Sequence, residues 1–188
     1  MEVTWQVRPP TPPHTHCTAC RCPSLTRRLP PPLLRAARTT RPQAFVESQL
    51  LHKQSCADAV ILNRADGVPW AHSADFEPRA YPAAVMAEDG TESTVAIDER
   101  KLLAALLATG RKGAEGLRVN GQKFMVVRTQ GEGSGCTVYG KKPGGGLCAT
   151  ATETAIVLGT YEDGKSNGVG ACNIAVETLG EYLRAKGV

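Results

Sequence analysis

The sequence predicts an α+β protein built on an antiparallel sheet of about six or seven strands, with its first and last helices side by side on one sheet face. Three observations carry this expectation. Apolar residues recur at three-and-four spacing near both ends of the chain. Between Gly116 and Tyr161 the period becomes that of strands, punctuated by short glycine-rich turns. A further strand pair, bent at Ala65-Asp66-Gly67, precedes a central helical segment.

Taken in order, the first helix needs two pieces of chain. Trp5-Gln6 joined to Ala44-Phe45-Val46-Glu47 aligns Trp5, Phe45, Val46 and Leu50 on one face, with Thr4 as N-cap. In the continuous chain only residues 44–52 keep helical periodicity, and Trp5 is stranded. Residues 57–64 and 68–72 read as a hairpin with Trp70 on its second arm. Residues 73–93 read as a long loop, with at most a turn of helix near 82–87. Asp98 caps a helix running to about Thr109, with Leu102, Leu103, Leu106 and Leu107 on one face and Gly110 as the stop. Strands follow at 117–119, 122–129, 136–141, 147–152 and 154–161, with turns at Asn120-Gly121, 131–135 and 143–146. The last helix spans 170–186, where Cys172, Ala175, Val176, Leu179, Tyr182 and Leu183 share a face.

The charge is uneven. Over 188 residues the net charge is +4, yet residues 7–43 hold seven Arg with no Lys, Asp or Glu, which leaves the rest of the chain acidic. The same segment holds nine of the thirteen prolines, including Pro30-Pro31-Pro32, and three of the seven cysteines. Proline at this density forbids a continuous helix or central strand, so residues 7–43 are expected to be a disordered insert. Residues 1–6 and 44–188 are then expected to make a single domain. Val7 codons begin GT and Gln43 codons can end AG, the borders of an intron. Removing the 37 residues between them keeps the reading frame. A translated, unspliced intron is the reading this suggests, and sequencing message across the junction tests it. Translated RNA that retains the whole segment refutes it. Three other readings of the insert compete: a zinc site from His14, His16, Cys17, Cys20 and Cys22, a transit peptide, and a nucleic-acid-binding arm. The zinc ligands lack a second spaced pair, the Arg-rich stretch does not start at Met1, and no aromatics interleave with the arginines.

The remaining composition excludes several classes. Hydrophobic residues make up 41%, charged residues 21%, and no run of 18 apolar residues exists, so no membrane-spanning helix is expected. An odd cysteine count without a hydrophobic leader argues against a secreted disulfide scaffold. Cys56, Cys136, Cys148 and Cys172 stand singly and are expected to be free and buried. Gly144-Gly145-Gly146 lacks the Lys-Ser/Thr ending of a phosphate loop. No catalytic constellation and no cofactor motif is present in the sequence. Aromatic placement stands out instead: Trp5, Phe45, Trp70 and Tyr182 come from the first helix, the hairpin and the last helix. If both terminal helices lie on one face, these rings can line a groove for a polyproline-II ligand, the competing reading being that Phe45 and Trp70 are plain core residues.

The motifs together resemble those of the profilins, in particular plant and algal ones. Trp5-Gln6 with Ala44-Phe45-Val46 is similar to their opening motif, and Asp66-Gly67-Val68-Pro69-Trp70-Ala71 to their second-strand motif. Asn120-Gly121-Gln122-Lys123-Phe124-Met125-Val126-Val127-Arg128 resembles their central hairpin. Tyr139-Gly140-Lys141-Lys142-Pro143-Gly144-Gly145-Gly146 and the stretch from Cys172-Asn173 to Glu181-Tyr182-Leu183 complete the set. The resemblance implies a third helix on the opposite sheet face and a binding protein of the cytoplasm and cytoskeleton, not an enzyme, without cofactor, metal or nucleic acid. Its partners would be monomeric actin, proline-rich proteins such as formins, and phosphoinositide head groups. It implies poly-proline binding by Trp5, Phe45, Trp70 and Tyr182, with Phe45 in place of a more usual Tyr. It implies actin binding by Lys123, Val126, Arg128, Lys142, Gly170 and Asn173, and phosphoinositide binding by Lys141 and Lys142. The alternatives are a scaffold or phosphoinositide-binding module of the same fold with weak or lost actin binding, and a metal-regulated or organelle-targeted variant that uses the insert.

Overall fold

Asp58–Asn63 (β1) is apolar at four successive positions, and a strand apolar on both sides of the pleat needs cover on both faces. The computed structural model shows that cover. It describes residues 42–188 apart from residues 75, 87–89 and 114. Ala59 and Ile61 face a cluster with Val46, Leu50, Val176 and Leu179, whereas Val60 and Leu62 face one with Leu103, Leu106 and Leu107. β1 therefore sits inside a sheet covered by helices above and below.

That sheet has seven strands in the order β2-β1-β9-β8-β7-β6-β5, every neighbouring pair antiparallel. The further strands are β2 (Pro69–His72), β5 (Leu117–Val119), β6 (Gln122–Gln130), β7 (Thr137–Lys142), β8 (Gly145–Ala151) and β9 (Ala155–Glu162). From β5 to β9 the strands form a meander, as the glycine-rich turns predict. One boundary differs. Gly145 and Gly146, expected in a turn, are buried strand residues, and the Tyr161 ring lies 2.6 Å from where a side-chain carbon of Gly146 would stand. The glycines there serve ring packing as well as chain reversal.

Residues 73–93 depart from the loop expectation. Ala80–Met86 (β3) and Glu92–Asp98 (β4) pair as a separate two-stranded hairpin, and no helical turn forms near Pro82. Ala, Pro and Glu have little strand propensity and dilute that of Tyr81, Val85, Thr94, Val95 and Ile97, so pairing completes what local preference only partly supplies. Pro82 is tolerated because neither strand belongs to the main sheet.

Among the described residues three longer helices complete the fold. Residues 42–45 are α-helical and Val46–Leu50 continues as a π turn; together they form α1. Pro42 and Gln43, read from sequence as the end of the insert, stand in its first turn, and Gln43 donates to Glu47 and to the His72 carbonyl. Proline suits that first turn because its missing N–H has no helical partner there. Glu99–Thr109 (α2) begins at Asp98, whose side chain accepts from the Arg100 and Lys101 amides, and ends at Gly110 with φ of 67°. Val169–Ala185 (α3) lies on β8 and β9 beside α1. Gly180 lets it approach, since a side chain there would strike Thr150. α1 and α3 thus share one face and α2 takes the other, as expected.

Glu99, wholly buried, ties three elements together. Its Oε2 accepts the Arg79 and Asn120 amides at 2.9 and 2.8 Å, and its Oε1 accepts the Gly121 amide and the Tyr81 hydroxyl at 2.7 and 3.0 Å. A buried carboxylate is stable only when so satisfied. Among the described residues no helix is long and apolar enough to cross a membrane.

Candidate functional site

The packing of α1 beside α3 makes an apolar groove of about 440 Å³ over the β1–β2 edge. Phe45 of α1, Ile61 of β1, Trp70 of β2 and Tyr182 and Leu183 of α3 line it. The Phe45 and Tyr182 rings stand 5.8 Å apart at 53°, a tilted aromatic pair. None of the three aromatic rings is sealed in the core: Phe45 and Trp70 are half-buried, and Tyr182 is 47% exposed. Phe45 and Trp70 pack against the core cluster beneath α1 and α3 and still keep part of their surface exposed. The structure therefore brings together three of the four predicted groove residues. Trp5 and the insert residues His14, His16, Cys17, Cys20 and Cys22 lie outside the described residues.

Sequence reasoning missed Lys186, whose Nζ lies 5.8 Å over the Tyr182 ring. Its position one helical turn beyond Tyr182 was the available signal. It also missed Ile61 as a groove wall, because a strand buried on both faces reads simply as core.

Five of the six residues expected at the actin face fall on two clefts. One, of about 470 Å³, is lined by Val127, Arg128, Tyr139, Val169, Asn173 and Glu177, on the flank of α3 away from α1. The other, of about 870 Å³, lies along β6 and β7 and is lined by Lys112, Lys123, Met125, Val126, Lys141 and Lys142. Lys141 borders both. The division comes from a β-bulge at Val127, where the β6–β7 register slips between Val126 and Arg128. A bulge re-aims the following side chains, and the sequence pattern carries no sign of it. Gly170 is exposed in the first turn of α3 and lines neither cleft.

Electrostatics separate the lysines. Lys142 donates to Gln122 and, at 3.2 Å, to Glu162, and lies 5.7 Å over the Phe124 ring. Its side chain is 15% exposed, so it is a held cation rather than a free hairpin tip. Lys165 and then Lys142 hold the Glu162 carboxyl below the usual carboxylate range. Lys141 stands exposed. Around α3, Tyr139 donates to Glu177 at 2.7 Å, and burial followed by that carboxylate pushes its hydroxyl pKa up. Asn173 Oδ1 is buried with no hydrogen-bond partner among the described residues. Among those residues no cluster of His, Cys, Asp and Glu could hold a metal ion.

Known proteins match this arrangement. The family model described as Profilin matches residues 41–188. Profilin from Schizosaccharomyces pombe is 26% identical with a TM-score of 0.58, over 78% of this chain and 99% of that one. Acanthamoeba castellanii profilin IA is 24% identical with a TM-score of 0.54, over 78% of this chain and 98% of that one. Mouse profilin IIa, solved in complex with a double repeat from the FH1 domain of mDia1, shares the fold at 18% identity and a TM-score of 0.53, over 78% of this chain and 98% of that one. Family match, sheet order and helix placement agree: the chain belongs to the profilin family.

Proposed function

We propose that this chain binds monomeric actin and proline-rich segments of actin-assembly factors and so regulates actin polymerisation in the cytoplasm. The partly exposed Phe45–Trp70–Tyr182 groove is the observation that carries the reading. A polyproline-II segment has flat ring faces and free carbonyls, and such grooves receive it by stacking and by indole N–H or phenol O–H donation. Phe45 supplies a ring without a donor, so Trp70 and Tyr182 carry the polar part of recognition, with Trp5 as a fourth ring. Lys123, Val126, Arg128, Lys142, Gly170 and Asn173 form the proposed actin face, on the flank of α3 away from the groove and around β6. The unpartnered Asn173 oxygen and the exposed Val127 and Val169 suit a partner that brings a donor and apolar surface. With the groove and that face on opposite sides of α3, one molecule can hold actin while tethered, which raises local actin concentration. The role is binding and not catalysis, and no cofactor is required for it.

A second reading, a phosphoinositide-binding module with weak actin binding, is favoured by the cleft in which Lys112, Lys123, Lys141 and Lys142 converge. Lys112, Lys123 and Lys141 are exposed there, whereas Lys142 is held by Glu162. Polymerisation of pyrene-labelled actin separates the readings. A concentration-dependent lag and lowered plateau support the first. Unchanged kinetics together with co-sedimentation on phosphoinositide vesicles support the second and refute the first.

A further inference from the structure

Two thiols not used by any proposed binding face meet under α3. Cys56 leads into β1 and Cys172 stands in the first turn of α3, and their sulfurs are 3.5 Å apart. Both are buried, Cys56 at 3% exposure and Cys172 at 0%. Gly159 of β9 makes the chamber: a side-chain carbon there would lie 2.7 Å from the Cys56 sulfur and 3.4 Å from that of Cys172. The pair is thus seated in space kept clear by a glycine.

The approach to Cys56 is strained. Lys53 and Gln54 both adopt left-handed backbone, at φ of 53° and 57°, a conformation that non-glycine residues avoid at a cost of order 1 kcal/mol each. Asn167, just ahead of α3, holds them: its side chain donates to the Lys53 carbonyl at 2.6 Å and its amide to the Gln54 carbonyl at 2.9 Å. The α1–β1 linker and the entry to α3 are therefore already clasped by hydrogen bonds, next to the thiols that could join them covalently.

We propose that Cys56 and Cys172 are a covalent modification site, a thiol pair that a small peroxide converts to a disulfide stapling α3 to the entry of β1. The Cys56 sulfur attacks the peroxide O–O bond, which breaks to give a sulfenic acid and one water. The Cys172 sulfur then displaces the hydroxyl, which leaves with the thiol proton as a second water. Two thiols lose two electrons in total and hydrogen peroxide gains them. A disulfide holds its sulfurs at about 2.05 Å, so the pair closes by about 1.5 Å. The linker makes that movement, and its opening admits the peroxide. Hydrogen bonding to Cys172 and burial push the Cys56 thiol up, so its oxidation waits on that opening.

The test uses the full chain with Cys17, Cys20 and Cys22 replaced by Ser, exposed to hydrogen peroxide and mapped as non-reduced peptides. The expected product is a Cys56–Cys172 cross-linked peptide and a Tm raised by about 10 °C, because the bond closes a long loop. Dithiothreitol reverses both. Cys148→Ser, which removes the third buried thiol of this region, retains the cross-link, whereas Cys172→Ser loses it. Asn167→Ala speeds cross-linking severalfold. Three results would overturn the proposal: no Cys56–Cys172 peptide after prolonged exposure, a cross-link that requires Cys148, or a cross-linking rate unchanged by Asn167→Ala.

Discussion

Replacing Glu99 by Gln leaves shape and volume nearly unchanged, yet it should be among the most costly single-atom changes in this protein. The carboxylate accepts four hydrogen bonds, two on each oxygen, from three backbone amides and one hydroxyl. A Gln has one acceptor oxygen. Its amide nitrogen takes the Oε1 place with less loss, because the Tyr81 hydroxyl there can turn and accept. The Gly121 amide then faces a donor and is left buried and unpaired, a loss of about 1–3 kcal/mol. The Arg79 and Asn120 amides keep an oxygen but lose its charge, about 1 kcal/mol each. The expected destabilisation is about 3–5 kcal/mol. With an m-value of about 2 kcal/mol/M, the urea midpoint falls by roughly 2 M. Equilibrium urea unfolding followed by far-UV circular dichroism measures it. Oligoproline binding should survive in the folded variant, because Glu99 lies on α2, across the sheet from the groove. A midpoint shift under about 0.5 M would refute the account of Glu99 as a fully engaged buried anion.

Other expectations follow from the same geometry. Tyr182→Ala removes one ring of the groove and should weaken oligoproline binding about tenfold or more in a tryptophan-fluorescence titration, while Tyr182→Phe keeps the stacking and loses less. Gly159→Ala places a carbon 2.7 Å from the Cys56 sulfur and 2.8 Å from Val176, and should cost about 1–3 kcal/mol by thermal unfolding. Glu162 has its folded-state pKa lowered from 4.5 by Lys165 and Lys142. Its stabilising contribution is therefore complete above that ordinary value and disappears as pH falls through the lower folded-state value. Unfolding midpoints of the native chain and of Glu162→Gln should differ at pH 7 and converge as pH falls below 4.5 and through the lowered folded-state value.

How much was legible in the sequence depends on whether local chemistry decided the element. Asp98 and Gly110 bound α2 in the structure where their chemistry places them, one by accepting from free amides and the other by entering left-handed backbone. The Asn120-Gly121 turn and the meander to β9 were legible for the same reason. The β3–β4 hairpin was not, because three Ala and a Pro dilute the strand preference of Tyr81 and Val85 in Ala80–Met86, which forms by pairing with Glu92–Asp98. The groove was half legible. The aromatic residues could be named, but Ile61 and Lys186 as its walls required α1 and α3 to be placed.

Sequence by itself determined the identity of the elements other than β3 and β4: caps, turns and periodicities are written within a few residues of where they act, and short-range sterics and hydrogen bonding read them directly. Tertiary structure decided what meets across the sheet. The bulge at Val127 that divides the basic and polar clefts, the holding of Lys142 by Glu162, and the 3.5 Å approach of Cys56 to Cys172 all join residues distant in the chain. Such meetings depend on the sum of packing over the whole sheet, and no local pattern of side chains encodes that sum.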